Sequence, residues 1–131
     1  ANLSYLRDLG ADQVIDYNTT DFTKVVSNCD AVFDTVGGDV AMRSFAVLKP
    51  GGRAAFIASG AKAPTPERSD VTALRPAVGR DRPHLERIAA LYQAGVIRKP
   101  AVTLYKLSDA VEATRLSEAR HVRGKLVFKV R

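Results

Sequence analysis

One stretch of the sequence limits what this chain can fold into: a strand, a helix and a second strand are predicted within residues 30–58. Residues 30–36 form a largely apolar run, which is typical of a parallel strand covered on both faces. Two glycines end the run, and Asp39 is expected to cap a helix. The apolar face of that helix carries Ala41, Phe45 and Leu48. Residues 49–52 are predicted to turn the chain into a strand over residues 53–58, completing a right-handed βαβ unit.

The residues before this unit predict shorter elements. Apolar residues recur at three-residue steps over residues 3–9, which indicates a helix that ends at Gly10. Residues 13–16 are predicted to form a short buried strand. A polar stretch that begins at Tyr17 then leads to a brief helical segment over residues 22–27.

Alternating elements are also predicted after the unit. They are a loop over 61–70, an edge strand over 71–78 interrupted by Pro76, a helix over 82–94, a strand over 102–105, a helix over 108–119 and a strand over 125–130. Asp81 is expected to cap the first helix, Gly95 to end it, and Ser108 to cap the second. The residues of the first helix expected to face inward are Leu85, Ile88, Leu91 and Tyr92.

This alternation predicts one α/β domain with a mainly parallel sheet. Ligands of such sheets bind outside the carboxyl ends of the strands. The positions of interest are therefore Tyr17, Val36 with Gly37, and residues 58–60, because they follow the three clearest strands.

Composition excludes several classes of protein. The chain carries a net charge of +6, and residues 61–131 hold fifteen Lys and Arg against seven Asp and Glu. These basic residues are dispersed without interleaved aromatic residues, so we expect a solvated cationic surface and no nucleic-acid partner. No apolar run approaches the roughly 20 residues of a membrane helix, so no membrane partner is expected. Cys29 is the only cysteine and no signal peptide is visible, which favours the reducing cytoplasm.

The sequence lacks the usual motifs of catalysis and phosphate binding. It contains no Gly-x-Gly-x-x-Gly turn, no Gly-x-Ser-x-Gly, no His-Glu-x-x-His and no phosphate loop with Gly-Lys-Ser/Thr. His84 and His121 are expected at the surface, and Cys29 is expected to pack beside a strand. We therefore predict no metal ligand and no catalytic acid or base among these residues.

Five stretches in the right order resemble the medium-chain dehydrogenase/reductase superfamily, and the zinc-free quinone oxidoreductases within it most closely. The stretches are LGADQVIDY at 9–17, FDTVGG at 33–38, LKPGGR at 48–53, AGVI at 94–97 before YKLSDA at 105–110, and RHVRGKLV at 120–127. Together they cover nearly the whole chain. The resemblance implies a partial Rossmann-like, doubly wound sheet that lacks its first two strands. It assigns residues 1–100 to an NAD(P)-binding domain and residues 101–131 to the return toward a catalytic domain.

The same resemblance implies which residues meet the cofactor. Asn2 and Tyr17 correspond to the adenosine end, Val36 and Gly37 to the adenine pocket, and Ile57, Ala58 and Ser59 to the ribose and nicotinamide. A further set corresponds to the nicotinamide side and to an arginine near the cofactor: Leu74, Arg75 and Arg120. Core packing would equally explain the apolar positions, and a solvated charge would explain the two arginines.

The resemblance implies hydride transfer from NADPH, or NADH, to a small-molecule acceptor such as a quinone, activated alkene or carbonyl. Two other functions stay open at this point. The LKPGG turn also resembles S-adenosylmethionine-dependent methyltransferases. A non-catalytic dimerisation module is the second alternative, because the edge strand predicted over residues 71–78 could pair across a two-fold axis in a homodimer. Without the first two strands, the strand predicted at 13–16 has no neighbour, so we expect oligomerisation or disorder near residues 1–28.

Overall fold

The computed structural model describes residues 2–119 and 121–131. Contacts divide the chain into two compact units, Ala1–Val78 and Gly79–Arg131. The boundary predicted near residue 100 refers to the domains of a whole enzyme and stays a prediction. None of the helices in the described ranges is long and apolar enough to cross a membrane.

The first unit is a three-stranded sheet with helical segments. Its elements are α1 (Leu3–Asp8), a 3-10 turn (Phe22–Lys24), β1 (Cys29–Asp34), α2 (Gly38–Ser44), a second 3-10 turn (Phe45–Val47), β2 (Leu48–Phe56) and β3 (Thr72–Leu74). The strand order is β1-β2-β3, and both pairs are parallel. The α/β class, the parallel sheet, the βαβ unit and the edge position of β3 are therefore confirmed.

The core of this unit lies where α2 meets β2. Its buried residues are Ala41, Phe45, Leu48, Ala54, Phe56 and Val71. The rings of Phe45 and Phe56 lie 5.3 Å apart, a usual distance for a tilted aromatic pair. The apolar face predicted for the helix is thus buried, although Leu48 already belongs to β2. The prediction that Asp39 caps this helix is wrong. Gly37 occupies the cap position, and Asp39 lies in the first turn of α2.

Residues 49–52 form an irregularity inside β2 instead of the predicted turn before it. Cys29 pairs with Leu48 and Ala31 with Arg53, so a step of two residues along β1 matches five along β2. Such bulges keep both ends of a strand paired while the extra residues loop out. The backbone N–H of Gly51 donates to the carbonyl of Asp70, at 2.7 Å, which fixes this loop to the segment before β3.

Arg68 fastens the predicted loop over residues 61–70 to the core. Its Nη1 donates to the carbonyl oxygens of Phe45 and Leu48 at 3.1 and 3.0 Å, and its Nε and Nη2 bind the carboxylate of Asp70. Charge-assisted hydrogen bonds of this kind are stronger than neutral ones. Arg68 therefore ties the loop to the second 3-10 turn and to the start of β2.

The strand predicted at residues 13–16 is absent, because these residues form no regular secondary structure and pair with no strand. A strand needs a neighbour for its backbone groups, and no described strand reaches this segment. The expectation that β1 is covered on both faces is also wrong, since Phe33 is 65% exposed. Both errors have the same cause: the apolar pattern of these segments predicts neighbouring strands or helices that the described residues do not provide.

The second unit is a two-stranded parallel sheet with two helices. Its elements are α3 (Arg82–Gln93), β4 (Val102–Lys106), a 3-10 turn (Leu107–Asp109), α4 (Ala110–Glu118) and β5 (Lys125–Lys129). Asp81 caps α3 as predicted, accepting from the N–H of His84 at 3.1 Å. Ser108 does not cap α4, because its hydroxyl lies in the preceding 3-10 turn and donates to Asp109.

The inward orientation predicted for α3 is wrong. Leu85, Ile88 and Tyr92 are each more than half exposed, and Leu91 is only partly buried. A two-stranded sheet offers a small apolar surface, and α4 packs against both of its strands. The periodicity of apolar residues predicts the helix itself correctly. It identifies an apolar face, but it does not show which residues cover that face.

Acid should destabilise the first unit through its ion pairs. The pKa of Asp30 is lowered from 3.8 mainly by a hydrogen bond from Lys49, and that of Asp70 mainly by a hydrogen bond from Arg68. A carboxyl group whose pKa is lower in the folded than in the unfolded state stabilises the protein at pH values above its unfolded-state pKa. This stabilisation is lost as the pH falls through the folded-state pKa. We expect the urea midpoint to be constant near about pH 6 and to fall below about pH 4. The substitution Lys49→Gln should make this fall shallower, and an unchanged pH profile in that variant would contradict the assignment.

Candidate functional site

The carboxyl ends of the three parallel strands of the first unit lie along one edge of its sheet. Asp34 pairs with Phe56, and Ala55 pairs with Leu74, so β1, β2 and β3 end almost level with one another. We call the residues at these strand ends the carboxyl edge: residues 35–37 after β1, residues 57–60 after β2, and residues 74–75 at the end of β3. Seven of the residues that the resemblance predicts to meet a cofactor lie at this edge: Val36, Gly37, Ile57, Ala58, Ser59, Leu74 and Arg75.

Asp34, for which the sequence predicts no role, organises the first part of this edge. Its side chain is buried and accepts hydrogen bonds from the N–H of Val36 at 2.8 Å and of Gly37 at 3.1 Å. Its carbonyl oxygen accepts from the N–H of Ile57 at 3.0 Å. A carboxylate at the end of an apolar strand, three residues before a pair of glycines, is the sequence signal that could have identified it.

Gly37 brings the turn after β1 close to the segment after β2. Its φ of 80° and ψ of −166° lie in a region that is essentially restricted to glycine. A Cβ at this position would lie 2.8 Å from the carbonyl oxygen of Ala58. The turn after β1 and the segment after β2 are therefore in direct contact, and only glycine fits between them.

The segment after β2 is held from both sides. The hydroxyl of Ser59 donates to the carbonyl of Lys62 at 2.8 Å. The Nε of Arg75, which follows β3, donates to the carbonyl of Gly60 at 2.7 Å. Arg75 thus acts on the shape of the edge through the backbone, a contribution that the sequence alone did not predict.

Three exposed side chains of the carboxyl edge are apolar. The side chain of Val36 is 69% exposed, and those of Ile57 and Leu74 are 39% and 42% exposed. Small residues stand between them, at Gly37 and Ala58. Apolar side chains beside closely approaching backbone fit the flat, partly apolar rings of a dinucleotide, although the sequence offers no glycine-rich grip for its phosphates.

The remaining predicted cofactor residues lie elsewhere. Tyr17 is exposed in the turn after Asp16, whose carboxylate accepts from the N–H of Asn18 at 3.0 Å. Asn2 precedes α1, where its carbonyl accepts from Leu6. Both belong to the segment before β1 and lie outside the carboxyl edge, and Arg120 lies outside the described residues.

An apolar groove of about 310 Å³ runs beside β1 and reaches the carboxyl edge. Its lining includes Ile15, Phe22, Val32, Phe33 and Val36. Arg43 of α2 holds one wall in place, since it pairs with Asp21 and lies 5.0 Å from the ring of Phe22. The sequence did not predict this groove, because its lining comes from segments that are distant along the chain.

No group of three or more His, Cys, Asp or Glu side chains that could hold a metal ion occurs among the described residues. The residues present therefore do not fit a zinc site.

Comparison with known proteins gives one family for nearly the whole chain. The family model described as "Zinc-binding dehydrogenase" matches residues 9–128. A probable mitochondrial zinc-binding oxidoreductase of Arthroderma benhamiae is 26% identical over 137 aligned residues, which cover 98% of this chain and 41% of that protein.

Solved structures give the same result. The quinone oxidoreductase of Coxiella burnetii is 32% identical with a TM-score of 0.75, covering 99% of this chain and 42% of its own. A thermostable alcohol dehydrogenase of Pyrobaculum aerophilum is 25% identical with a TM-score of 0.77, covering 98% and 39%. The chain thus spans less than half the length of each of these relatives.

Proposed function

Because the chain belongs to the zinc-binding dehydrogenase family of oxidoreductases, we propose that it forms the carboxyl-terminal part of an NAD(P)-binding domain. The observation that carries this proposal is the carboxyl edge, where three parallel strands end level and expose apolar side chains. Dinucleotides bind at this end of doubly wound sheets. When bound, the nicotinamide supplies the hydride, and the protein orients the ring and excludes water from it.

The proposed contacts follow the order of the strands. Val36 and Gly37 form the adenine side, Ile57 with Ala58 and Ser59 lies along the ribose and nicotinamide, and Leu74 closes the nicotinamide side. Arg75 holds the middle segment through the carbonyl of Gly60. Tyr17, Asn2 and Arg120 stay candidates for the adenosine end and its choice between NADPH and NADH.

The proposed acceptor is a quinone or an activated alkene or carbonyl. The 32% identity to a protein described as a quinone oxidoreductase supports the first of these. We propose no catalytic acid or base among the residues of this chain. A cytoplasmic location remains part of the proposal, supported by the single cysteine.

The two alternative functions fare differently. A methyltransferase is not retained, because the dehydrogenase family model spans the LKPGG stretch and both of its flanks. Pairing between two copies is kept as part of the proposal, because β3 is an edge strand and could extend the sheet across a two-fold axis.

Calorimetric titration of the 131-residue chain with NADPH, NADH and S-adenosylmethionine tests the proposed function. We expect saturable binding of a nicotinamide dinucleotide and no binding of S-adenosylmethionine. The substitution Ile57→Glu should abolish binding, since it places a carboxylate where the ring would lie. Leu6→Glu is the matched control, because Leu6 has a similar exposure of 42% on α1 and should leave binding unchanged.

Three outcomes would contradict the proposal. They are no binding of either dinucleotide by the wild-type chain, a preference for S-adenosylmethionine, and an equal loss of binding in the Ile57 and Leu6 variants. The last result would place the dinucleotide away from the carboxyl edge.

A further inference from the structure

Asp34 is a buried carboxylate, only 4% exposed, at the end of an apolar strand. Its described partners are backbone N–H groups and not a cation: Val36 and Gly37 share its two oxygens at 2.8 to 3.1 Å. Burying a carboxylate is costly unless hydrogen bonds replace its water. The two N–H groups provide that replacement, so the side chain and the turn hold each other in place.

The same residue also holds the neighbouring segment. Its carbonyl oxygen accepts from the N–H of Ile57, and the turn it fastens contacts Ala58 through Gly37. Asp34 is therefore bonded to both segments that form the first two parts of the carboxyl edge. Its side chain fixes one segment and its backbone fixes the other.

We propose that Asp34 is the positioning residue of the carboxyl edge, and that the affinity for the dinucleotide depends on its carboxylate. The inference rests on the proposed function, because the affinity concerned is that for NADPH. Consecutive N–H groups in a glycine turn can form a concave site for anions. Here the carboxylate of Asp34 already accepts hydrogen bonds from those N–H groups, so they are not available to a phosphate. The turn exposes the apolar side chain of Val36, which fits a ring of the dinucleotide.

The substitution Asp34→Asn separates this role from simple packing, because the two side chains have nearly the same shape. The amide oxygen can still accept from Val36 and Gly37, but the NH₂ group replaces the second oxygen that accepts from Gly37, which places two donors together. An unsatisfied buried donor is costly. We expect NADPH affinity to fall about tenfold or more, which corresponds to about 1.4 kcal/mol.

Asp21→Asn is the matched control. Asp21 also accepts from a backbone N–H, that of Thr23 at 3.0 Å, and it pairs with Arg43, but it lies outside the carboxyl edge. Both variants should lower the urea midpoint of the first unit. Only Asp34→Asn should weaken NADPH binding measured by calorimetry under conditions where both variants are fully folded.

Amide signals in ¹⁵N NMR test the positioning without any cofactor. In Asp34→Asn the signals of residues 36–37 and 57–60 should shift and exchange faster with solvent, while those of residues 21–24 stay in place. Perturbation confined to residues 36–37, or an unchanged NADPH affinity in a chain whose wild type binds, would overturn the proposal. Absence of NADPH binding by the wild type would refute the proposed function, and the amide signals would still decide whether Asp34 couples the two segments.

Discussion

The substitution Gly124→Ala should prevent the second unit from folding. Gly124 has a φ of 86°, and a Cβ there would overlap the carbonyl oxygen of Ala101. That oxygen accepts from the N–H of Lys125 at 2.8 Å, next to the pairing of Val102 with Lys125 that begins the β4–β5 ladder. A backbone shift that relieves the overlap therefore breaks this hydrogen bond at the start of the β4–β5 ladder. Two-stranded sheets are only marginally stable. We expect a loss of about 4 kcal/mol or more, the range reserved for severe backbone or core damage.

Urea unfolding followed by amide hydrogen exchange measures this effect in the intact chain. Gly95→Ala is the control, since Gly95 has a φ of 71° in the same unit and open space where a Cβ would stand. It should show only the strain of a left-handed backbone, about 1–2 kcal/mol. Protection of β4 and β5 should disappear in the Gly124 variant and persist in the Gly95 variant. Equal losses in the two would mean that backbone strain, and not the overlap with Ala101, limits the unit.

The elements that could be predicted from sequence are those whose pattern is local. β1, α2 and β2 were found because apolar residues, glycines and a helical period follow one another within residues 30–58. The cap of α3 at Asp81 was found for the same reason, since a capping side chain bonds a group three residues away. The grouping of Val36 with Ala58 followed from a general rule about parallel sheets.

The features that the sequence did not predict depend on contacts between residues that are distant along the chain. The bulge at residues 49–52 exists because Leu48 pairs with Cys29, and the sequence of residues 49–52 does not predict this strand pairing. The apolar face of α3 was located, but its exposure could not be read from periodicity. Asp34 was passed over because its partners are backbone N–H groups, which every residue but proline carries.

The substitution Gly37→Ala should disrupt the carboxyl edge while leaving the core of the first unit assembled. Alanine at a φ of 80° and a ψ of −166° is strained by about 1–3 kcal/mol. The added Cβ would also stand 2.8 Å from the carbonyl oxygen of Ala58, so the turn after β1 and the segment after β2 must separate. Because both segments are proposed to contact the dinucleotide, NADPH binding should fall below detection. The Phe45–Phe56 pair lies in the core and should stay folded.

Calorimetry and urea unfolding together separate the local effect from a general one. Gly60→Ala is the matched control: Gly60 has a φ of 75° in the same sheet edge but open space around a Cβ. It should lose stability through backbone strain alone and keep most of its affinity, because Arg75 holds the carbonyl of residue 60 and not its Cα. Full NADPH affinity in the Gly37 variant would show that the dinucleotide does not need the contact between the two segments. Tyr17, which is exposed in the segment before β1, would then be the next residue to substitute.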